Sequence, residues 1–189
     1  MALSLREDRK GGPVDHFLAL LQDRLPLWLR ILHNLTPGRG RVTDNLIFVA
    51  RAGIDHYVEV QSAALPAFTE PSVTVRFRKA VRDSGLGPMA EILPLAAYLE
   101  AEQRLGRIVA SADPQATARL LLAGCFQHAY YEMFVGADAG PTRDNAAVEI
   151  VRELRLEPSD GGHGEGKQKA EQEAGRGSGR GSGRGEPTS

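Results

Sequence analysis

The sequence contains one cysteine, few aromatic residues and no excess of either charge. Cys125 is the only cysteine, which excludes an intrachain disulfide and a cysteine-based metal site. Aromatic residues make up 6% of the 189 residues, and the formal net charge of −1 gives no overall field towards nucleic acid or a membrane. The most apolar stretch, residues 120–135, is too short to span a bilayer. No signal-peptide pattern is present at the N-terminus, so we expect a cytoplasmic protein.

The last part of the chain also lacks apolar residues. Between residues 159 and 189 only Ala170 and Ala174 are apolar, and this segment buries too little surface to offset the entropy of ordering. Its five acidic and five basic residues cancel, which favours a solvated tail over a nucleic-acid-binding one. We therefore predict three parts, namely a flexible arm over 1–13, a helical ligand-binding and dimerisation domain over 14–157, and a disordered Gly/Arg/Ser-rich tail over 158–189.

Apolar residues recur with helical spacing through the domain, and no segment shows sustained strand-like alternation. Thr43 is the expected N-cap of a long helix that ends before Pro66. Asp113 followed by a proline is a strong helix start, and Pro141 is expected to open the final helix. The pattern predicts an all-α protein with six helices.

The block Leu120–Phe126 is apolar on nearly every side and therefore requires burial on more than one side. Gly124 lies within it, where glycine costs about 1 kcal/mol relative to alanine, and a close contact between helices would explain its presence. Two arrangements remain open: a central core helix in a monomer, or an interface between two copies built from the last two helices. The residues expected in that interface are Leu120, Leu121, Cys125, His128, Ala147, Ile150, Val151 and Leu154.

Several motifs follow one another in a distinctive order. Val42-Thr-Asp-Asn-Leu46 is followed by Tyr98-Leu-Glu-Ala-Glu-Gln-Arg-Leu-Gly-Arg-Ile108, by Asp113-Pro114 and by Ala118-Arg-Leu-Leu-Leu-Ala-Gly-Cys-Phe126. In this order they resemble the C-terminal regulatory domain of tetracycline-repressor (TetR) family transcription regulators, over about residues 15–156. The resemblance implies a helical domain that holds a small molecule among its middle helices. It also implies that the last two helices pair with a second subunit as a four-helix bundle.

The resemblance does not extend to the part that reads DNA. Members of the family begin with a helix-turn-helix unit, and too few residues precede Phe17 to form one. Ala52-Gly53-Ile54 is weakly similar to the turn of such a unit, but no basic recognition helix follows it. We expect no specific DNA binding by this chain, which is either a stand-alone sensor-like domain or a product whose true start lies upstream.

Large apolar or weakly polar side chains on the middle helices are candidates for the pocket that the resemblance implies. Ligand pockets are mostly apolar with a few placed polar groups. Each of these residues taken singly fits an ordinary core, but the set favours a site for a small apolar or aromatic ligand. The candidates are Phe48, Tyr57, Phe77, Met89, Leu93, Tyr98, Phe126 and Tyr130.

Catalytic patterns are missing from the sequence. His128 and Glu132 share a helix face, but the other histidines show no metal-ligand spacing. No nucleophile motif is present, and a cysteine in an apolar helix is usually a small hydrophobic residue. We therefore expect a protein without enzyme activity, metal or cofactor. Two hypotheses remain: a ligand-sensing, dimerising regulatory domain of the TetR type, or a stand-alone helical protein that binds a small molecule or a partner.

Overall fold

The fold of the protein is given by a computed structural model that describes residues 13–68, 71–84 and 88–158. These residues form helices and no strands, which confirms the all-α prediction. The helices are α1 (Pro13–His33), α2 (Val42–Phe68), α3 (Pro71–Ser84), α4 (Met89–Arg104), α5 (Pro114–Val135) and α6 (Arg143–Glu153). The predicted arm and tail lie outside the described residues except for their end residues Pro13 and Pro158. Among the described residues, none of the helices has the length and apolar character needed to cross a membrane.

The helix ends follow from local capping. The Asp113 side chain accepts hydrogen bonds of 2.9 Å from two backbone N–H groups in the first turn of α5, as predicted. Thr142 caps α6 in the same way, so the final helix starts after Pro141 rather than at it. The predicted end of α2 is also wrong, because the helix continues through Pro66 to Phe68. A proline in the last turn removes one backbone hydrogen bond without ending the helix. Thr43 lies in the first turn of α2 instead of capping it.

Helix α2 occupies the centre of the domain and packs against α1, α5 and α6. Gly53 allows this close approach, since a Cβ atom there would lie 3.2 Å from the Trp28 ring on α1 and 3.5 Å from the Cys125 sulfur on α5. Ala52-Gly53-Ile54 is therefore part of a continuous helix at a tight crossing, and it is not a turn of a DNA-reading unit.

The glycine in α5 has a similar explanation within one chain. A Cβ atom at Gly124 would lie 3.1 Å from two side-chain carbons of Ile150 on α6. The absence of a side chain lets α5 and α6 pack closely against each other. The close helix contact expected from the sequence is therefore formed between two helices of the same chain, and it requires no second copy.

A group of ion pairs, here called the arginine cluster, joins α2, α5 and α6. Arg143 Nε donates to Glu132 Oε2 at 2.8 Å, and Arg143 also donates to Asp55 Oδ1 at 2.6 Å. Arg51 donates to the same Asp55 and, at 2.7 Å, to Asp144 Oδ1. Each carboxylate of the cluster thus faces at least one guanidinium group, which holds α6 in place against the centre of the domain.

Candidate functional site: a cavity between α1, α2, α4 and α5

A cavity of about 530 Å³ lies between α1, α2, α4 and α5. This volume falls within the range of small-molecule sites in proteins. The wall is mostly apolar, with four polar or charged side chains from the middle of the chain and one arginine from α5. It is formed by Phe17, Leu21, His56, Tyr57, Val60, Gln61, Pro88, Glu91, Ile92, Arg119, Leu122, Ala123 and Phe126.

Glu91 is the charged group that lies deepest in this wall. The Tyr57 hydroxyl on α2 donates a hydrogen bond to the Glu91 carboxyl on α4. Burial raises the pKa of Glu91. The Tyr57 hydroxyl and the nearby indole N–H of Trp28 oppose that shift. The indole nitrogen of Trp28 makes no hydrogen bond of standard geometry. Burial, followed by the neighbouring Glu91 charge, raises the pKa of Tyr57, so the phenol stays protonated and acts as a donor.

Gln61 lies four residues after Tyr57 on α2, so both side chains face the cavity. Its Nε2 donates to the Phe126 backbone carbonyl at 3.0 Å. This bond fixes the orientation of the amide, since the carbonyl oxygen of Phe126 can only accept. The other amide atom, Oε1, is buried without a hydrogen-bond partner among the described residues. The cavity wall thus contains an oriented acceptor that lacks a donor.

Aromatic rings surround these polar groups. His56 stacks on Trp28 with ring centroids 5.6 Å apart, and Tyr57 and Phe126 form an edge-to-face pair at a centroid distance of 5.6 Å. Burial lowers the pKa of His56 to about 4, so its ring is neutral at pH 7. Among the described residues of the wall, Arg119 is the only other ionisable side chain, and it is exposed on α5.

Of the predicted pocket residues, Tyr57 and Phe126 line the cavity. Tyr98 lies elsewhere in the core, where its hydroxyl accepts a hydrogen bond of 2.9 Å from Asn45. Phe77 belongs to α3, and its side chain lies outside the described part of the structure. The remaining four are exposed and outside the cavity wall: Phe48, Met89, Leu93 and Tyr130.

Helix geometry explains why two candidates on the same helix, Phe48 and Tyr57, have different surroundings. Phe48 and Tyr57 are nine residues apart on α2, which corresponds to about half a turn more than two full turns. They therefore point in opposite directions, and Phe48 is 62% exposed while Tyr57 lines the cavity. Spacing alone did not show which of the two faces would border a cavity.

The predicted interface residues divide between the core and the surface. Leu120 is 63% exposed, and Ile150 and Leu154 are half-buried. The others are buried within the single chain, so they are not available to a second copy: Leu121, Cys125, His128, Ala147 and Val151. Here the interpretation from the sequence is corrected, because the neighbours of these side chains are α2, α4 and α6 of the same chain.

A different set of apolar residues covers the surface of α5. These side chains are between 41% and 64% exposed, and they lie on the half of the helix that faces away from the core except for Phe126, which is at its border and also lines the cavity. We call this surface the outer face of α5. It consists of Leu120, Phe126, Tyr130, Tyr131, Phe134 and Val135.

Four polar residues of the cavity were not among the candidates from the sequence: His56, Gln61, Glu91 and Arg119. Two of them left a signal. Glu91 is the only charged residue in the apolar stretch 88–99, and Gln61 shares a helix face with the candidate Tyr57. No feature of the sequence distinguished His56 from an ordinary core histidine.

Metal chemistry finds no support in the described part of the chain, where no group of three potential ligands comes together. Glu132, which shares a helix face with His128, is paired with Arg143. No family model matches the chain, and neither a curated protein nor a solved structure matches it.

Proposed function

We propose that this chain is a ligand-sensing, dimerising regulatory domain of the TetR type that acts in transcription control without a DNA-reading unit of its own. The observation that carries the proposal is the cavity between α1, α2, α4 and α5. The six-helix arrangement of the TetR type belongs to the same proposal, and the order of sequence motifs supports it. The ligand is a small molecule with an apolar or aromatic body.

The composition of the wall supports a ligand-binding role. Apolar side chains supply most of the contact area, and only a few polar groups converge on the space between the helices. Such a wall binds an apolar body through burial of its surface, while the polar groups select its orientation. The wall includes residues of α1, α2, α4 and α5, so an occupant would contact four helices.

The outer face of α5 supports the dimer. Exposed aromatic and aliphatic side chains form a patch along the helix, with Arg119 and Gln127 as polar neighbours. Patches of this kind on a helical domain are typical of protein interfaces. A second copy fits because a two-fold axis brings the same apolar face onto itself.

The ligand-binding part is tested by filling the cavity. Ala123 lines the wall on α5, so Ala123→Trp should occupy the space and abolish the rise in melting temperature that hydrophobic naphthyl compounds cause in the natural protein. The matched control is Ala97→Trp, at an exposed alanine on α4 outside the wall. If no compound of the series raises the melting temperature, or if Ala123→Trp responds like the natural protein, the proposed pocket is rejected.

The dimer is tested by sedimentation of charged variants. Leu120→Glu and Phe134→Glu place a carboxylate on the outer face of α5 and should convert a dimer into folded monomers. Leu105→Glu serves as the control, because Leu105 is 57% exposed and lies outside α5 and α6. A charge at the fully buried Leu121 would unfold the chain and would not report on assembly. A natural protein that sediments as a monomer at tens of micromolar contradicts the proposal.

The role in transcription is tested on the gene. An in-frame helix-turn-helix upstream of the coding region, with sequence-selective DNA binding by the extended product, is the expected result. The chain alone should show no sequence-selective binding in a fluorescence-anisotropy titration against genomic fragments at physiological salt. If the chain alone binds DNA sequence-selectively, the proposal that it lacks a DNA-reading unit is wrong.

A further inference from the structure

One acceptor of the cavity wall lacks a donor among the described residues. Gln61 is 7% exposed, and its Oε1 atom has no hydrogen-bond partner among those residues. A buried acceptor without a donor is unfavourable, and a ligand that donates a hydrogen bond removes this penalty. A purely apolar occupant would leave the penalty in place.

The Glu91 carboxyl is the acidic group of the same wall. Its hydrogen-bond partner is the neutral Tyr57 hydroxyl, and within the described part of the chain no basic side chain forms an ion pair with it. Buried carboxylates are usually paired with a cation, since desolvation of an unpaired charge is costly. Consistent with this, burial raises the pKa of Glu91 above its ordinary value.

The rings near Glu91 also suit a positive charge. Tyr57 and Phe126 meet edge to face in the wall, and the neutral His56 contributes no competing charge. Aromatic faces attract ammonium groups, most strongly where water is excluded. The exposed Arg119 is the remaining charge of the wall, and solvent screens it.

We infer that the ligand is an apolar molecule that carries a protonated amine, with the ammonium group donating to Glu91 and to Gln61 Oε1. The inference rests on the proposed ligand-binding function and names the chemical class of the ligand. A carboxylate ligand would meet Glu91 as a like charge. An uncharged alcohol would satisfy Gln61 but would not compensate the charge of Glu91.

The test compares probes that share one apolar body. Naphthylethylamine, naphthylethanol and naphthylacetate differ mainly in the head group, and their affinities for the full chain are measured by titration calorimetry at pH 7. We expect the amine to bind at least about tenfold more tightly than the alcohol, since hydrogen bonds to charged groups are the stronger ones. Naphthylacetate should bind most weakly. A preference for the alcohol or for naphthylacetate over the amine overturns the inference.

Variants assign the preference to the two residues. Glu91→Gln should reduce the affinity for the amine by about tenfold or more and leave that for the alcohol within about threefold. Glu100→Gln is the matched control on the exposed side of α4 and should change neither affinity. If Glu91→Gln keeps the preference for the amine, the inference is wrong. Should that variant fail to fold, the order of the three probes on the natural protein still decides.

The contribution of Gln61 is measured with a probe that has the charge but no donor. The trimethylammonium analogue of naphthylethylamine cannot donate a hydrogen bond, so it should bind more weakly than the amine to the natural protein. Gln61→Met should reduce this difference, and an unchanged difference excludes Gln61 as the acceptor. Ala123→Trp separates the two proposals. If this variant abolishes binding of the alcohol but the natural protein shows no preference for the amine, the pocket stands and only the proposed ligand class is rejected. If no probe binding responds to Ala123→Trp, the pocket itself is rejected.

Discussion

The arginine cluster and the cavity both include residues of α2 and α5, but they differ in whether their carboxyl groups are paired with a cation. In the cluster, Glu132 faces Arg143, whose hydrogen bonds are the main cause that holds the pKa of Glu132 below its ordinary value. In the cavity, Glu91 faces a phenol, and burial raises the pKa of its carboxyl. The fold therefore contains one carboxylate, Glu132 on α5, that is paired with a cation, and another, Glu91 on α4, that has no cation among the described residues.

This difference separates a structural role from a binding role. Charges that neighbouring helices neutralise contribute to holding those helices together, as Arg143 does between α5 and α2. A carboxylate in a cavity wall that has no described cation beside it favours the binding of a cationic ligand. Perturbed carboxyl groups in a cleft are candidates for function for this reason.

The largest effect is expected from removing the centre of the cluster. Arg143→Met leaves Glu132, which is 12% exposed, without its cation, and should lower the free energy of unfolding by about 2 kcal/mol. Arg152→Met is the control, since Arg152 is 68% exposed and pairs with its neighbour Glu153; it should cost no more than about 0.5 kcal/mol. Urea denaturation at pH 7 measures both. Equal stabilities for the two variants would mean that the cluster does not stabilise the fold.

The pH dependence of this effect has a defined sign. Because the folded pKa of Glu132 is lowered, its contribution to stability is present above its ordinary pKa of 4.5 and is lost as the pH falls through the folded value. The difference in unfolding free energy between the natural protein and Arg143→Met should therefore shrink below about pH 4.5. A difference that is independent of pH would contradict the assigned cause.

A smaller effect of opposite sign is expected in the cavity. Glu91→Gln removes a buried charge, so stability at pH 7 should stay within about 1 kcal/mol of the natural protein or increase. Since the folded pKa of Glu91 is raised, its protonated form stabilises the natural protein at low pH, and this contribution is lost as the pH rises through the folded value. Glu91→Gln should not show this loss of stability as the pH rises. A destabilisation as large as that of Arg143→Met would show that Glu91 is a structural residue.

The smallest effect is expected at the exposed end of the cluster. Asp144 is 80% exposed and reaches only Arg51, so Asp144→Asn should change stability by less than about 0.5 kcal/mol. The same assay that measures Arg143→Met detects this difference. A larger loss would mean that solvent does not screen this end of the cluster.

Sequence patterns predicted local features more reliably than the choice of helix face. Asp113 was identified as an N-cap because its side chain and the following proline act within one turn. Gly124 was identified as a site of close helix contact, but its contact is Ile150 of the same chain. Leu121 was assigned to an interface and lies in the core, whereas its neighbour Leu120 is exposed. A rotation of about 100° per residue separates these two outcomes, and apolar character is the same for both.

The sequence by itself determined the helical class, the capped start of α5 and the absence of an intrachain disulfide, since these depend on spacing within a few residues or on composition. The tertiary structure alone decided that Gln61 and Glu91 meet Tyr57 and Phe126 around one cavity. These residues come from three helices, and Gln61 and Phe126 alone are 65 positions apart along the chain. Their meeting depends on how α2, α4 and α5 cross, and crossing angles are set by the packing of side chains between helices. A pattern read along a single helix contains no information on that packing.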